Sequence, residues 1–123
     1  MKMLHAMMVS IAATLLSCLW VASGYAGKQD CAEAVSTAEM QTCANQIYQE
    51  SDAELNQVYR QLIVQLSAQR KTQLKASQQA WLAFRDKNAA FAAGVAEGGS
   101  MASLVEITEL TAMTKSRTEQ LRT

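Results

Sequence analysis

Residues 36–66 read STAEMQTCANQIYQESDAELNQVYRQLIVQL and carry the clearest helical pattern of the chain. Its apolar and small residues recur at spacings of three and four, which places them on one face of a helix. They are Met40, Cys43, Ile47, Ser51, Leu55, Val58, Leu62 and Leu66. Ser36 is followed three residues later by Glu39, a capping box that marks where a helix begins. The stretch therefore predicts one long amphipathic helix that starts after Ser36.

Two shorter series of the same kind follow the first helix. One is Leu74, Ser77, Trp81, Phe84, Asn88 and Phe91, and the other is Leu104, Ile107, Leu110, Thr114 and Leu121. Their spacing predicts two more helices, and no proline interrupts any of the three. We therefore predict an all-α protein, an antiparallel three-helix bundle with a long first helix.

The chain must reverse twice for three helices to pack together. An unbroken helix over residues 37–92 would be about 84 Å long, several times the width of so small a domain. We place the first reversal between Ser67 and Thr72. The glycine-rich segment 94–99 marks the second reversal, and Ser103 opens a second capping box at the start of the third helix.

The first 26 residues have the order of a secretory signal peptide. A basic start at Lys2 is followed by an uncharged apolar run over residues 6–22. Gly24-Tyr25-Ala26 then supplies the small residues that a signal peptidase reads. We predict cleavage after Ala26, which leaves residues 27–123 as one periplasmic or secreted helical domain without a membrane span.

Two alternatives to this cleavage stay open. Cys18 follows Leu15-Leu16-Ser17, which is typical of a lipoprotein signal in which Cys18 carries a lipid anchor, although the next residues are still apolar. The apolar run is also close to the length of about 20 residues that a membrane-spanning helix needs, so an uncleaved anchor is the third interpretation. In all three cases the working domain leaves the cytoplasm.

Cys31 and Cys43 are the two cysteines left after cleavage, and an even pair in a small exported domain predicts a disulfide. The two Cα atoms of a disulfide must lie within about 7 Å, whereas a continuous helix over residues 31–43 would hold them about 18 Å apart. The chain must therefore turn between the cysteines, and the capping box at Ser36 offers the place. The disulfide would then fix the N-terminal segment to the first turns of the long helix and contribute about 3 kcal/mol.

The composition of residues 27–123 excludes several classes of function. Ten Lys and Arg stand against eleven Asp and Glu, a net charge of −1, which gives no bulk attraction to nucleic acid or anionic lipid. No histidine remains once His5 is removed, and pairing of the two cysteines leaves no free thiol for a nucleophilic triad or a zinc site. We therefore predict a binding protein and not an enzyme, with no cofactor and no metal.

Three polar residues lie beside the apolar faces of the first two helices. Asp52 and Asn56 are four residues apart, and Arg85 follows Trp81 at the same spacing. A guanidinium can bridge a carboxylate and an amide while it stacks on an aromatic ring. We predict that Asp52, Asn56 and Arg85 form a buried polar clasp that fixes the register of the two helices, because interior polar groups are costly without partners.

Several motifs occur in order between Asp30 and Leu121. They are Cys43-Ala44, Tyr48, Ser51–Asn56, Tyr59, Leu74–Trp81, Phe84-Arg85-Asp86, Gly98-Gly99-Ser100-Met101, and Thr114–Thr118 with Leu121. Together they resemble the LprI-like family of lysozyme inhibitors. The resemblance implies a small exported helical domain and, for one branch of the family, inhibition of lysozyme.

The sequence departs from this family at one pair of positions. Relatives usually carry a cysteine shortly after the Arg-Asp pair and another before the closing Thr motif, where this chain has Ala89 and Glu109. The joint absence implies that the two cysteines bridge each other in relatives. We expect the contact between the second and third helices to be looser in this protein.

The segment Gly98-Gly99-Ser100-Met101 is the candidate contact with a target. Glycine permits positive φ, and loops beside a rigid bundle tend to carry binding residues, although the same residues also suit a plain turn between two helices. The active site of a lysozyme is a cleft flanked by two carboxylates, which a loop with backbone N–H groups and a hydroxyl fits. The resemblance thus implies a protein partner and a role in protecting the cell wall from a lysozyme-type hydrolase. The alternative is an envelope structural or interaction module with no hydrolase target.

Overall fold

A computed structural model describes residues 31–96 and 98–122 of the protein. The predicted signal peptide, residues 1–26, and the alternative lipid anchor at Cys18 lie outside the described residues. Within the described ranges the chain forms three α-helices and no strand, so the all-α prediction is confirmed. The helices are α1, Thr37–Val64; α2, Ala68–Ala93; and α3, Ala102–Leu121.

The three helices form the predicted antiparallel bundle. α3 packs along both α1 and α2. Its first turn lies beside the first turns of α1, where Gln41 bonds to Ser103, and it runs antiparallel to α2, where Ser77 bonds to Arg117. α1 has 28 residues and is the longest helix, with a length of about 42 Å.

The start of α1 follows the prediction closely. Ser36 Oγ accepts a hydrogen bond from the Glu39 N–H at 3.2 Å, and the Glu39 carboxylate accepts one from the Ser36 N–H at 2.9 Å. The backbone hydrogen bond from Ser36 holds the pKa of Glu39 below its ordinary value of 4.5. The Cys31–Cys43 disulfide is also confirmed, with the two Cα atoms 5.6 Å apart, and it fixes the 3-10 turn Cys31–Glu33 to α1.

The first reversal comes earlier than predicted. α1 ends at Val64 and α2 begins at Ala68, so the turn occupies residues 65–67 and not a position between Ser67 and Thr72. Ser67 is the N-cap of α2, because its Oγ accepts a hydrogen bond from the Arg70 N–H at 3.4 Å. A serine that caps a helix was therefore the local signal for this turn.

The start of α3 corrects the second predicted capping box. The helix begins at Ala102, Met101 is its N-cap, and no side chain caps it. Ser103 lies inside the first turn, where its Oγ accepts a hydrogen bond from Gln41 Nε2 on α1. Because Ser103 follows the N-cap position and is itself helical, it forms no reciprocal cap with Glu106.

The buried face of α2 differs from the predicted apolar series. Arg85 and Ala89 are the buried residues of this helix, whereas Phe84 and Phe91 are 58% and 82% exposed. Small and polar side chains make up much of the buried interior of the described residues. It consists of Cys43, Ser51, Leu55, Arg85, Ala89, Thr114, Thr118 and Leu121.

Ala89 and Glu109, where the family resemblance implies a second cysteine pair, lie on α2 and α3. Ala89 is fully buried. Glu109 Oε1 accepts a hydrogen bond from Asn88 Nδ2 at 2.9 Å. A hydrogen bond therefore joins the two helices here, and the looser contact stays a prediction.

Candidate functional site

Arg85 lies where the three helices meet, and its guanidinium contacts each of them. Nε donates a hydrogen bond to Asp86 Oδ1 at 2.9 Å, next to it on α2. Nη1 lies 3.5 Å from Asp52 Oδ1 on α1 and 3.4 Å from Thr114 Oγ1 on α3. The side chain is only 8% exposed, so burial of its charge would be costly without these partners. The structure thus brings together Asp52 and Arg85, two members of the predicted polar clasp.

Two aromatic rings cover the same guanidinium. The Arg85 Cζ atom lies 5.3 Å from the ring centroid of Trp81 and 5.8 Å from that of Tyr48. Burial raises the pKa of the Tyr48 phenol; the charge of Arg85 opposes this shift, and the carboxylates of Asp52 and Asp86 reinforce it. The phenol therefore stays neutral near pH 7 and does not compete with the carboxylates for the arginine.

Asn56 is placed differently from the expectation that it lies inside the bundle beside Arg85. Its side chain is exposed, and its Nδ2 donates to Asp52 Oδ2 at 2.9 Å and to the Asp52 carbonyl at 2.8 Å. Asp52 therefore offers one carboxylate oxygen to Arg85 and the other to Asn56. The amide orients the carboxylate and does not bind the arginine itself.

The sequence reasoning did not assign Tyr48 or Thr114 to this cluster. Tyr48 lies four residues before Asp52 and thus on the same face of α1, which was a usable signal. Thr114 is 29 residues away from Arg85 on another helix, and no local pattern links the two. The Arg85 cluster, as we name it below, comprises Tyr48, Asp52, Trp81, Arg85, Asp86 and Thr114.

The predicted contact loop, Gly98-Gly99-Ser100-Met101, is exposed throughout. Gly98 has a φ of +80°, a conformation that favours glycine. A Cβ added to Gly99 would lie 3.2 Å from the Ala96 carbonyl oxygen, which is a tight contact. Each of the two glycines thus meets a different requirement of the turn.

Two backbone N–H groups at the end of this loop have no hydrogen-bond acceptor in the part of the chain that the structure describes. These are the N–H groups of Ser100 and Met101. α3 starts directly after them without a side-chain cap, so the positive end of its helix dipole lies at the same place. Such an arrangement suits an incoming carbonyl or carboxylate.

Exposed apolar side chains lie around the same loop. Phe91 and Val95, which precede the loop, are 82% and 86% exposed, and Met101 ends it partly exposed. The starts of α1 and α3 lie side by side, so Val35, just before α1, lies at this end as well. Its side chain is also exposed. Exposed apolar groups next to free donors are typical of a protein-binding surface. We name this region, Val35, Phe91, Val95 and Gly98–Met101, the loop-end surface.

Residues 31–96 and 98–122 contain no group of three or more His, Cys, Asp or Glu side chains that could hold a metal ion. None of the helices in these ranges combines the length and the hydropathy needed to cross a membrane.

Comparison with known proteins places the chain in a family. A family model described as "Lysozyme inhibitor LprI" matches residues 29–121. The chain is also similar to "Uncharacterized protein R02472" of Rhizobium meliloti (strain 1021), with 33% identity over 121 residues that cover 88% of this chain and 87% of the relative. No solved structure matches the chain. The resemblance seen in the motifs is thus confirmed, and the chain belongs to the LprI family of lysozyme inhibitors.

Proposed function

We propose that this protein is an exported, non-catalytic inhibitor of a lysozyme-type hydrolase and protects the cell wall by binding that enzyme. Membership of the LprI family supports the activity. The Cys31–Cys43 disulfide supports an oxidising compartment such as the periplasm or the cell exterior. The signal-peptide pattern of residues 1–26 supports the same location.

The main support for the proposed contact site is that the loop-end surface combines hydrogen-bond donors with exposed apolar side chains. A lysozyme cleft is flanked by two carboxylates, which are strong hydrogen-bond acceptors. The Ser100 hydroxyl and the backbone N–H groups of Ser100 and Met101 are donors on an exposed loop. Phe91 and Val95 beside the loop supply apolar area that can be buried against the rim of the cleft.

Electrostatic attraction contributes little to the proposed contact. Residues 27–123 carry a net charge of −1, so long-range steering toward a cationic enzyme is weak. We therefore expect association rates of roughly 10⁵–10⁶ M⁻¹ s⁻¹, the range of complexes without steering. Inhibition should depend only weakly on salt, because burial of apolar area and hydrogen bonds to the loop provide most of the affinity.

The test is an assay of lysozyme activity on cell walls with the purified protein in micromolar excess. We expect inhibition by the wild type and its loss in the double variant Ser100→Ala/Met101→Ala, with the melting temperature nearly unchanged. The matched control is Ser116→Ala/Val64→Ala, which changes exposed residues of similar size away from the loop and should inhibit normally. If the wild type leaves lysozyme activity unchanged, the inhibitor proposal fails for the enzymes tested.

A second candidate function is that of an envelope interaction module whose partner is not a hydrolase. A shallow groove of about 310 Å³ between α1 and α3 favours it, because its lining is largely apolar. Ile47 on α1 and Ala112 on α3 form part of this lining, and Ile47 is exposed. If lysozymes are not inhibited, recovery of a non-hydrolytic envelope protein with the wild type but not with Ile47→Asp would support this candidate.

A further inference from the structure

Two arginines near Trp81 have very different partners. The Arg85 guanidinium is paired with the carboxylates of Asp52 and Asp86. The Arg117 Cζ atom lies 5.8 Å from the Trp81 ring centroid, but Arg117 forms no ion pair among the described residues. Arg117 is therefore a positive charge without a counter-charge among the described residues.

Neutral groups hold the Arg117 guanidinium in place. Nε donates to Gln78 Oε1 at 3.1 Å, Nη1 donates to Gln120 Oε1 at 3.1 Å, and Nη2 donates to Ser77 Oγ at 3.0 Å. A guanidinium has five N–H groups, so one on each terminal nitrogen is left over. A pair of N–H groups on a planar, preorganised guanidinium matches the two oxygens of a carboxylate or phosphate.

Arg117 lies in the wall of a groove formed by all three helices at the end remote from the loop. The groove has a volume of about 330 Å³, which is at the lower end of the range for small-molecule sites. Arg70, an exposed residue of α2, lies in the same lining, which contains no Asp or Glu. Two arginines thus line one groove, and none of the described residues in its wall is acidic.

The rest of the lining includes an apolar surface. Leu62 and Leu66 contribute from α1 and the turn after it, Leu74 from α2, and Leu121 from α3. A ligand that fits both parts has a negatively charged oxygen group and an apolar tail. The tail would displace water from the leucines while the oxygens pair with the guanidinium groups.

We propose that this groove binds an amphiphilic oxyanion, a carboxylate or phosphate monoester attached to an apolar chain. Arg117 binds the oxygens, Arg70 adds a second charge, and the leucines contact the chain. The source is either a soluble amphiphile or the headgroup region of an anionic lipid, which offer the same chemistry. The proposal is independent of lysozyme inhibition, because the groove lies at the opposite end of the bundle from the loop-end surface.

The test titrates the protein, as purified from cells, with octyl phosphate, octanol and inorganic phosphate. Trp81 is the one tryptophan of residues 27–123 and lies next to Arg117, so its fluorescence reports binding alongside calorimetry. We expect saturable binding of octyl phosphate, and affinities for octanol and inorganic phosphate that are each weaker by roughly tenfold or more. Vesicles of phosphatidylcholine with and without phosphatidylglycerol test the lipid source.

Variants separate the groove from general charge effects. Arg117→Gln should weaken octyl phosphate binding by roughly tenfold or more, and Arg70→Gln by a smaller factor. Arg60→Gln, which removes an exposed arginine of α1 outside the groove, should change nothing. If Arg117→Gln does not fold, Arg70→Gln still tests the proposal, because Arg70 is exposed and its replacement should leave the fold intact.

The outcomes divide as follows. Binding of octyl phosphate that depends on Arg70 and Arg117 supports the proposal with a soluble amphiphile as the ligand. Binding only to anionic vesicles with the same dependence supports it with a lipid as the source. No binding to either probe, or binding that Arg70→Gln and Arg117→Gln leave unchanged, overturns it.

Discussion

The Arg85 cluster in the middle of the bundle and the loop-end surface differ in whether their polar groups have partners. In the middle, a nearly buried guanidinium has carboxylate, hydroxyl and aromatic partners from all three helices. At the loop end, the N–H groups of Ser100 and Met101 have no acceptor within the described residues, and apolar side chains lie exposed beside them. The first arrangement pairs polar groups of different helices with one another, and the second supplies the donors of the contact that we propose. Substitutions in the two regions should therefore affect different measurements.

The largest expected effect is on stability, in the middle of the bundle. Arg85→Ala should lower the free energy of unfolding by about 3 kcal/mol, the lower end of the range for breaking a buried ion pair. The lower end applies because Asp52 and Asp86 are partly exposed and regain water when the arginine is removed. Urea unfolding measures the change, and Lys87→Ala, an exposed cation on the same helix, is the control. A change no larger than that of the control would show that the cluster does not hold the helices.

Loss of the disulfide should have an effect of similar size on stability. The same substitution should also affect the loop-end surface. Cys31→Ser should lower the free energy of unfolding by about 2–4 kcal/mol, the typical contribution of a disulfide. The wild type unfolded with a reductant present should match the variant, which is the control. Because the disulfide lies at the same end as the loop, the variant should also inhibit lysozyme less at temperatures at which it is folded. Arg85→Ala, tested under the same condition, should retain inhibition per folded molecule.

A smaller effect is expected from the backbone of the loop. Gly98→Ala should destabilise the protein by about 1 kcal/mol, because Gly98 has a φ of +80° although nothing lies within 4 Å of an added Cβ. Gly94→Ala is the matched control, since Gly94 has a φ of −59° and equally open space. Gly94→Ala should be neutral or should stabilise the protein by about 0.4–1 kcal/mol, because alanine reduces the conformational entropy of the unfolded chain. Equal effects of the two alanines would contradict the assignment of the strain to Gly98.

The smallest expected effect is a pH dependence at the start of α1. The folded state lowers the pKa of Glu39, so the carboxylate contributes stability above its unfolded pKa near 4.5 and loses it as the pH falls through the lower, folded value. The melting temperatures of the wild type and Glu39→Gln should therefore differ at pH 7 and converge toward pH 3. A difference that is constant across this range would mean that the charge on Glu39 plays no part in the cap.

Local signals predicted the parts of the fold that depend on neighbouring residues. The capping box of Ser36 and Glu39, the three helices and the Cys31–Cys43 disulfide follow from spacing and from the geometry of a short chain segment. The buried face of α2 does not, because hydropathy selects Phe84 and Phe91 whereas the buried residues of this helix are Arg85 and Ala89. Arg85 is buried only because carboxylates on two helices neutralise it, and a periodic pattern contains no such information.

Long-range partners explain the remaining differences at the candidate sites. Ser103 was expected to cap α3, but Gln41 of α1 engages its hydroxyl, a pairing across 62 residues of sequence. Thr114 and Arg117 owe their roles to residues of α2 that lie 29 to 40 positions away. The loop of residues 98–101 was predictable from its glycines, whereas the exposure of Phe91 and Val95 beside it required the packed bundle.

The most direct test of the difference between the two regions is amide hydrogen exchange of the protein with and without lysozyme. The N–H groups of Ser100 and Met101 have no acceptor among residues 31–96 and 98–122, so we expect their amides to exchange fast in the free protein and to slow markedly in the complex. Amides around Tyr48, Arg85 and Thr114 should exchange at the same rates in both states. Slower exchange around Arg85 with no change at Ser100 and Met101 would contradict the account, because the middle of the bundle would then be the binding site.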